Sequence, residues 1–333
     1  MKRFRMILAG DVGGTKTAVA LFEPQGPSLR PVREAIYPSR DFRSLEEILT
    51  TFLREGPGAR PAAGCFGLPG VVLEGRVSTT NIPWTVEEKL LATELGIPRV
   101  RLLNDLEATA YGMLHLGPQE LAPLNPHAGP RRPGHVAVLA AGTGLGEALL
   151  CWDGKQYHPV ASEGGHCDFA PHTDREIDLL RYLRAVHGHV SYERILSGPG
   201  IFNLYCFLRD TGGTGPSPAL ARALEEAEDP SAVVGQFGLA GTDPLAVATL
   251  DLFAGCYGAE AGNLALKCVA IGGVFIGGGI APKLLGTLQK GAFLEAFLDK
   301  GRFRSLMESI PVQVSLNPEA GLLGAAHFAA RIA

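Results

Sequence analysis

The sequence predicts an α/β fold in two lobes, and three observations carry that expectation. A chain of 333 residues exceeds what one hydrophobic core ordinarily holds. Short apolar runs of strand length alternate with longer stretches that carry helix-start and helix-stop signals. A Gly-Thr turn joining two apolar runs occurs twice, once at the start of the chain and once near its middle.

The elements follow in order. Residues 4–10 and 17–23 read as two strands joined by the turn D-V-G-G-T. The runs 62–72 and 100–105 add further strands. Between them, 44–55 reads as a helix opened by a Ser44–Glu47 capping box, and 86–96 as a helix stopped by Gly96. Residues 126–135, rich in Pro, Gly and Arg, form a loop. The stretch 135–154 then repeats the opening scheme of strand, Gly-Thr turn and strand, as an internal duplication would. A mostly helical second half follows. A helix over 173–186 opens with a Thr173–Glu176 box. Two more, over 217–227 and 243–271, pair an N-cap residue with proline at the first helical position. The connector 210–217 lies among them. A glycine-rich turn after 275 leads into a helix, and a strand at 311–316 precedes a last helix from about Pro318.

Composition removes several function classes. Hydrophobic residues make up 46% and charged residues 19%, as in a compact globular protein. The net charge of −4 comes without any long basic block, so no nucleic-acid partner and no acidic membrane surface is expected. Six cysteines (65, 151, 167, 206, 256 and 268) form no C-x-x-C pair, which suits reduced thiols in a cytoplasmic protein. The basic start is followed by too short an apolar run for a signal peptide. The apolar stretch 270–281 is far below the ~20 residues of a membrane span.

The turns carry the chemistry. Asp11, Gly13, Gly14, Thr15 and Lys16 form a candidate phosphate turn, in which glycine permits close backbone approach and Thr15 adds a hydroxyl donor. A carboxylate facing polyphosphate is repelled unless a cation intervenes, so Asp11 points to Mg²⁺, held directly or through water. A tight hairpin closed by an aspartate accounts for the same residues. Gly142, Thr143 and Gly144 form a second such turn, and Gly277, Gly278 and Gly279 a third. None fits the P-loop or dinucleotide fingerprints. Three glycine turns in this order resemble the actin-like ATPase superfamily, where two hairpins clamp ATP phosphates and a glycine-rich turn carries the adenosine. That resemblance implies a two-lobed, ribonuclease H-like fold with an interdomain cleft.

Acidic residues lie between the turns. Asn104-Asp105 ends an apolar strand; Asp105 reads either as a helix cap or as a base for a substrate hydroxyl. Glu163 and His166 follow the second turn, and Glu193 precedes a Gly-Pro-Gly turn; these side chains suit a polyol. DVGGTK, LLNDLEATAYG, AAGTGLGEALL, EGGHCDFAP, HVSYERILSGPGIFNLY, GGVFIGGGIAPK and NPEAGLLGA, in this order, resemble the bacterial glucokinase family over nearly the whole chain. The resemblance implies phosphorylation of D-glucose by MgATP to glucose 6-phosphate. Asp105 would be the base, and Asn81, Asn104, Glu163, His166 and Glu193 would hold sugar hydroxyls. It further implies a small domain of 1–109 plus 317–333, a large domain of 110–316, lobe closure on the sugar, and a homodimer. Lys16-Thr17 departs from the family pattern and resembles the ROK sugar kinases instead. That family's cysteine-rich zinc motif has only Cys167 here, so no structural zinc is expected. Two alternatives stay open: a kinase for mannose, glucosamine or an N-acetylhexosamine, and a non-catalytic nucleotide-binding switch.

Overall fold

The protein was described from a computed structural model covering residues 6–333 apart from 27, 57, 59, 80, 81 and 214. The chain divides into two compact units. The first comprises Met1–Gly117, Tyr157–Ala161 and Asn317–Ala333, and the second Pro118–Gln156 and Ser162–Leu316.

The first unit is built on a five-stranded sheet. Its strands are β1 (Ile7–Val12), β2 (Lys16–Gln25), β3 (Ser28–Pro38), β4 (Ala63–Leu68) and, after a two-stranded ribbon of β5 (Arg76–Ser78) and β6 (Thr85–Glu87), β7 (Val100–Asn104). The order is β3-β2-β1-β4-β7, with β1, β2 and β3 antiparallel and β1, β4 and β7 parallel. Nearly every residue of β1 and β4 is buried, as expected for central strands covered on both faces. The helix Leu45–Arg54 buries Leu45, Ile48, Leu49 and Phe52 in a core shared with Leu8, Val19, Leu21 and Phe66. The helices Asp105–Met113 and Ala320–Ile332 pack together without room for side chains at their crossing. A Cβ on Gly112 would lie 1.9 Å from the Ala320 carbonyl oxygen, and one on Gly324 would lie 1.7 Å from that of Ala108. This close approach fixes Asp105 and the start of the last helix against one another.

The second unit adds β8 (Leu121–Pro123), β9 (Val136–Ala141), β10 (Leu145–Trp152), β11 (Tyr157–Ser162), β12 (Gly273–Gly277) and β13 (Val312–Ser315). Residues Tyr157–Ala161 of β11 group with the first unit. Within the second unit the order is β10-β9-β12-β13-β8. A 25-residue helix, Pro244–Cys268, supplies much of the core through Phe253, Ala254, Tyr257 and Leu264. Its Tyr257 hydroxyl accepts the Ala141 N–H at 3.2 Å and so ties the helix to the end of β9. The two sheets share a plan: an antiparallel hairpin (β1–β2, β9–β10) followed by two parallel strands (β4–β7, β12–β13). The repeated turn in the sequence is thus the local trace of a repeated topology.

Several local expectations are corrected. Ser44 and Thr173 do cap their helices, accepting the N–H of Glu47 and Glu176. Each glutamate, however, accepts the amide one residue before the cap, Arg43 N–H at 2.8 Å and His172 N–H at 2.9 Å, so the reciprocal box is not closed. The helix read from residue 86 begins at Glu88, because Thr85–Glu87 pairs with Arg76–Ser78 instead. After Gly279 the chain makes turns, and the single helical turn Leu285–Leu288 comes before the longer helix Ala292–Leu298.

Candidate active site

In the first unit the strand ends gather the chemistry. Asp11 lies at the C-terminal end of β1, opposite Ala18 on β2 and Gly67 on β4. Asp105 is the first residue of the helix after β7 and accepts its neighbour's Leu106 N–H at 2.8 Å. The cap itself is Asn104. Its Oδ1 accepts Leu106 N–H at 2.9 Å, its own N–H donates to Glu107 at 2.9 Å, and its Nδ2 donates to the Gly70 carbonyl at 3.1 Å. The reading of Asp105 as the cap is therefore replaced: Asn104 caps, and Asp105 enters the wall of a cavity.

That cavity, of about 540 Å³, is lined by Asp11, Gly13, Lys16, Glu34, Asp105 and Glu319 among others. Four carboxyl groups there face one lysine. The Asp11 carboxyl is pushed up to about 6, first by burial and then by the nearby Asp105 carboxylate, with Lys16 opposing. A Cβ on Gly321, in the first turn of the last helix, would lie 3.1 Å from the Asp11 carboxyl carbon, so a side chain there would press on the carboxylate. Hard carboxylate oxygens in this setting fit Mg²⁺, which keeps several waters and is commonly held by one or two carboxylates together with phosphate oxygens. Among the described residues no cluster of three or more His, Cys, Asp or Glu has metal-holding geometry.

The Gly13-Gly14-Thr15 turn is held from below by a residue that the sequence did not single out. The buried Ser39 donates from Oγ to the Gly13 carbonyl at 2.6 Å, shares a 2.9 Å contact with Thr17 Oγ1, and donates its N–H to the Thr15 carbonyl at 3.0 Å. Ser39 is 24 residues from Thr15, and nothing local distinguishes it from any serine at the end of a strand. Thr15 and Lys16 remain exposed.

In the second unit three glycine turns converge on the end of β9. The Gly142 carbonyl accepts Gly198 N–H at 2.8 Å, and the Ala141 carbonyl accepts Ile280 N–H at 3.2 Å. Gly278 adopts a φ of +78° with its α-carbon close against Ala141, where any side chain would collide. Thr143 is exposed, Gly277 ends β12, and Gly279 is exposed beside Gly278. The acids meet here too. Glu193 Oε2 accepts Leu145 N–H at 3.0 Å, immediately after Gly144. His166 lies between two carboxylates, with Nε2 4.0 Å from Glu163 and Nδ1 4.0 Å from Glu193. Residues 30 apart in sequence thus form one carboxylate–imidazole–carboxylate row, exposed at Glu163 and His166 and partly buried at Glu193. Asn81 lies outside the described residues.

With this geometry established, comparison with known proteins becomes informative. The family model described as Glucokinase matches residues 8–332. The chain belongs to the glucokinase family. A glucokinase of Nostoc punctiforme is 42% identical over 98% of this chain and 99% of its own length. The crystal structure of a glucokinase from an Antarctic psychrotroph superposes with a TM-score of 0.89 at 30% identity, covering 99% of this chain and all of that one. A ROK family glucokinase from Streptomyces griseus, crystallised with glucose and AMPPNP, shares the fold with a TM-score of 0.62 at 20% identity, over 98% of this chain and 99% of its own. These relatives carry the actin-like ATPase fold that the order of glycine turns implied. No helix among the described residues is long and apolar enough to cross a membrane.

Proposed function

We propose that this member of the glucokinase family transfers the γ-phosphoryl group of ATP to the 6-hydroxyl of D-glucose. The observation that carries the reading is the pair Asp11 and Asp105 in one cavity with Gly13 and Lys16 of the first turn, two carboxylates of different roles at the ends of β1 and β7, the parallel strands on either side of β4.

Asp105 is the base. It accepts the 6-hydroxyl proton while that oxygen attacks the γ-phosphorus and the bond to the ADP oxygen breaks. Its first-turn position, where it accepts the Leu106 N–H, sets the carboxylate at the positive end of the helix dipole, which favours its charge before reaction. Asn104 contacts the sugar while its capping bonds hold Asp105 at the helix start. Asp11 holds Mg²⁺ directly or through water. When bound, the ion neutralises phosphate charge that the carboxylates would otherwise repel. Gly13, Gly14, Thr15, Lys16, Gly142, Thr143 and Gly144 bind the phosphates, while Gly277, Gly278 and Gly279 carry the adenosine. Glu163, His166 and Glu193 take the remaining hydroxyls: each carboxylate accepts, and the imidazole donates on one side and accepts on the other. Asn81 completes the sugar-side set. The protein acts in the cytoplasm, in glycolysis, as a homodimer.

The testing experiment is coupled-assay turnover of MgATP with a panel of hexoses, for the wild type and Asp105→Ala. Strong glucose preference, lost in the variant, is the expected result. Preference for mannose, glucosamine or an N-acetylhexosamine would replace the sugar. Sugar-independent ATP turnover unaffected by the substitution would replace the enzyme by a nucleotide switch.

A further inference from the structure

Beneath the Glu163–His166 loop lies a buried carboxyl pair that none of the assigned roles uses. Glu147, on β10, is 1% exposed, and its Oε1 has no hydrogen-bond partner among the described residues. Its Oε2 is pressed against the backbone of Gly164, where a Cβ would lie only 2.1 Å away. Gly164 N–H donates to Ser162 Oγ at 2.9 Å, so the loop is fastened on that side as well.

Glu260, fully buried on the long helix, is the other half of the pair. It accepts from Asn263 Nδ2 at 2.9 Å and lies 3.3 Å from Lys267 Nζ. The Asn263 amide also donates to the Tyr192 hydroxyl at 3.0 Å, and Tyr192 directly precedes Glu193. The network therefore touches the loop of Glu163 and His166 at Gly164, and the segment of Glu193 at Tyr192.

The charge balance decides the protonation. Two buried carboxyl groups face Lys267, whose side chain is more than half exposed. Lys300, half-buried, also feels Glu260 and Glu176, and burial holds its ammonium below the usual lysine range. Tyr192 is pushed up by burial and by Glu260, and stays a neutral phenol. Two buried carboxylates are costly where Lys267 balances one of them, whereas one proton between the two carboxyls leaves a single charge facing that lysine. Burial, followed by Glu260, raises the Glu147 carboxyl to about 7, with Lys267 opposing.

We propose that Glu147 is a positioning residue: its buried carboxyl, packed against Gly164, supports that residue and so holds Glu163 and His166 in register with Glu193 for the sugar. This rests on the sugar-binding reading of those three side chains. Raising the pH through 7 removes the shared proton, sets two carboxylates against each other, and loosens the loop.

The test compares the full chain carrying Glu147→Leu and Glu147→Gln with wild type, by glucose KM and kcat from pH 6 to 8.5 and by sugar-free amide exchange over 162–168. Loss of a buried hydrogen-bonded partner predicts a rise in glucose KM of about tenfold for Glu147→Leu, with kcat within about threefold and faster loop exchange. Glu147→Gln, whose amide donates to Glu260 at every pH, restores KM and flattens the rise that wild type shows above pH 7. KM and exchange within twofold of wild type in Glu147→Leu, or identical behaviour of the two variants, would overturn the proposal. If Glu147→Leu does not fold, the pH profile of Glu147→Gln decides: a flat KM supports the proposal and a wild-type profile refutes it. If wild type shows no glucose-dependent turnover, the substrate reading fails. Exchange then decides alone: faster in Glu147→Leu and restored in Glu147→Gln supports the loop-holding role, and unchanged exchange refutes it.

Discussion

The two Gly-Thr hairpins are built on one plan and differ in charge. In the first, Asp11 stands opposite Gly67 on the adjoining parallel strand; in the second, Ala140 stands opposite Gly277. The strands diverge in what surrounds the turn. Around the first are Asp105, Glu34 and Glu319, with Ser39 holding the backbone from below. Around the second are other glycine turns, and the nearby carboxylate, Glu193, is engaged by a backbone N–H. A turn ringed by anions accepts phosphate only in company with a cation. A turn of backbone amides free of such a ring offers partial positive charge by itself. The same scaffold thus yields one hairpin ringed by carboxyl groups and one ringed by glycine turns.

The sharpest way to break the comparison is at the acidic hairpin. Asp105→Ala should lower kcat by about 10²–10⁴ with circular dichroism unchanged. A loss below tenfold in the coupled assay would remove Asp105 as base.

Asp11→Asn should weaken the apparent Mg²⁺ affinity by about 10–100-fold in a metal titration. It should also alter stability in a definite direction. Burial pushes the folded carboxyl up to about 6 from its ordinary value of 3.8, so its contribution is fully present below pH 3.8 and lost as pH rises through 6. The asparagine variant should therefore lack that loss and be the more stable protein above pH 6, as urea midpoints at pH 5 and 8 would reveal.

The neutral hairpin should respond to volume instead of charge. A Cβ at Gly144 would come within 2.4 Å of Glu193 Oε2, so Gly144→Ala should displace the carboxylate from Leu145 N–H and raise glucose KM about tenfold. Gly142→Ala meets no protein atom within 4 Å, so it should leave Glu193 in place and keep glucose KM within about twofold, while the KM for ATP rises as the added methyl meets the phosphates. Equal effects at the two positions would show that backbone freedom, and not the Glu193 contact, is what the turn requires.

A smaller effect belongs to Ser39→Ala. Losing its hydroxyl leaves the Gly13 carbonyl and Thr17 hydroxyl short of a partner, at about 1–3 kcal/mol of stability in denaturant unfolding. The KM for ATP should rise several-fold as the turn loosens.

Much of this was legible along the chain. Turn glycines, strand-length apolar runs and N-cap prolines are local signals, and local geometry is what they encode. The positions of β1, β2, β4 and β9 follow from short apolar runs of strand length bounded by turn residues. The capping errors were of one residue, because either of two adjacent amides lies within a glutamate's reach.

What adjacency in sequence does not carry is which distant groups share a dielectric. Asp11 and Asp105 are 94 residues apart, and only the parallel order β1-β4-β7 brings their carboxyls close enough to repel. Ser39 reaches Gly13 through the β2–β3 pairing, and Glu147 reaches Glu260 through the packing of a helix on a sheet. The sequence by itself determined the turns, the α/β class and the residue types able to bind phosphate and polyol. The tertiary structure alone decided which carboxyls face one another, which glycines admit no side chain and which serine supports the Gly13–Thr15 turn, because desolvation, electrostatic interaction and steric exclusion depend on distance through space.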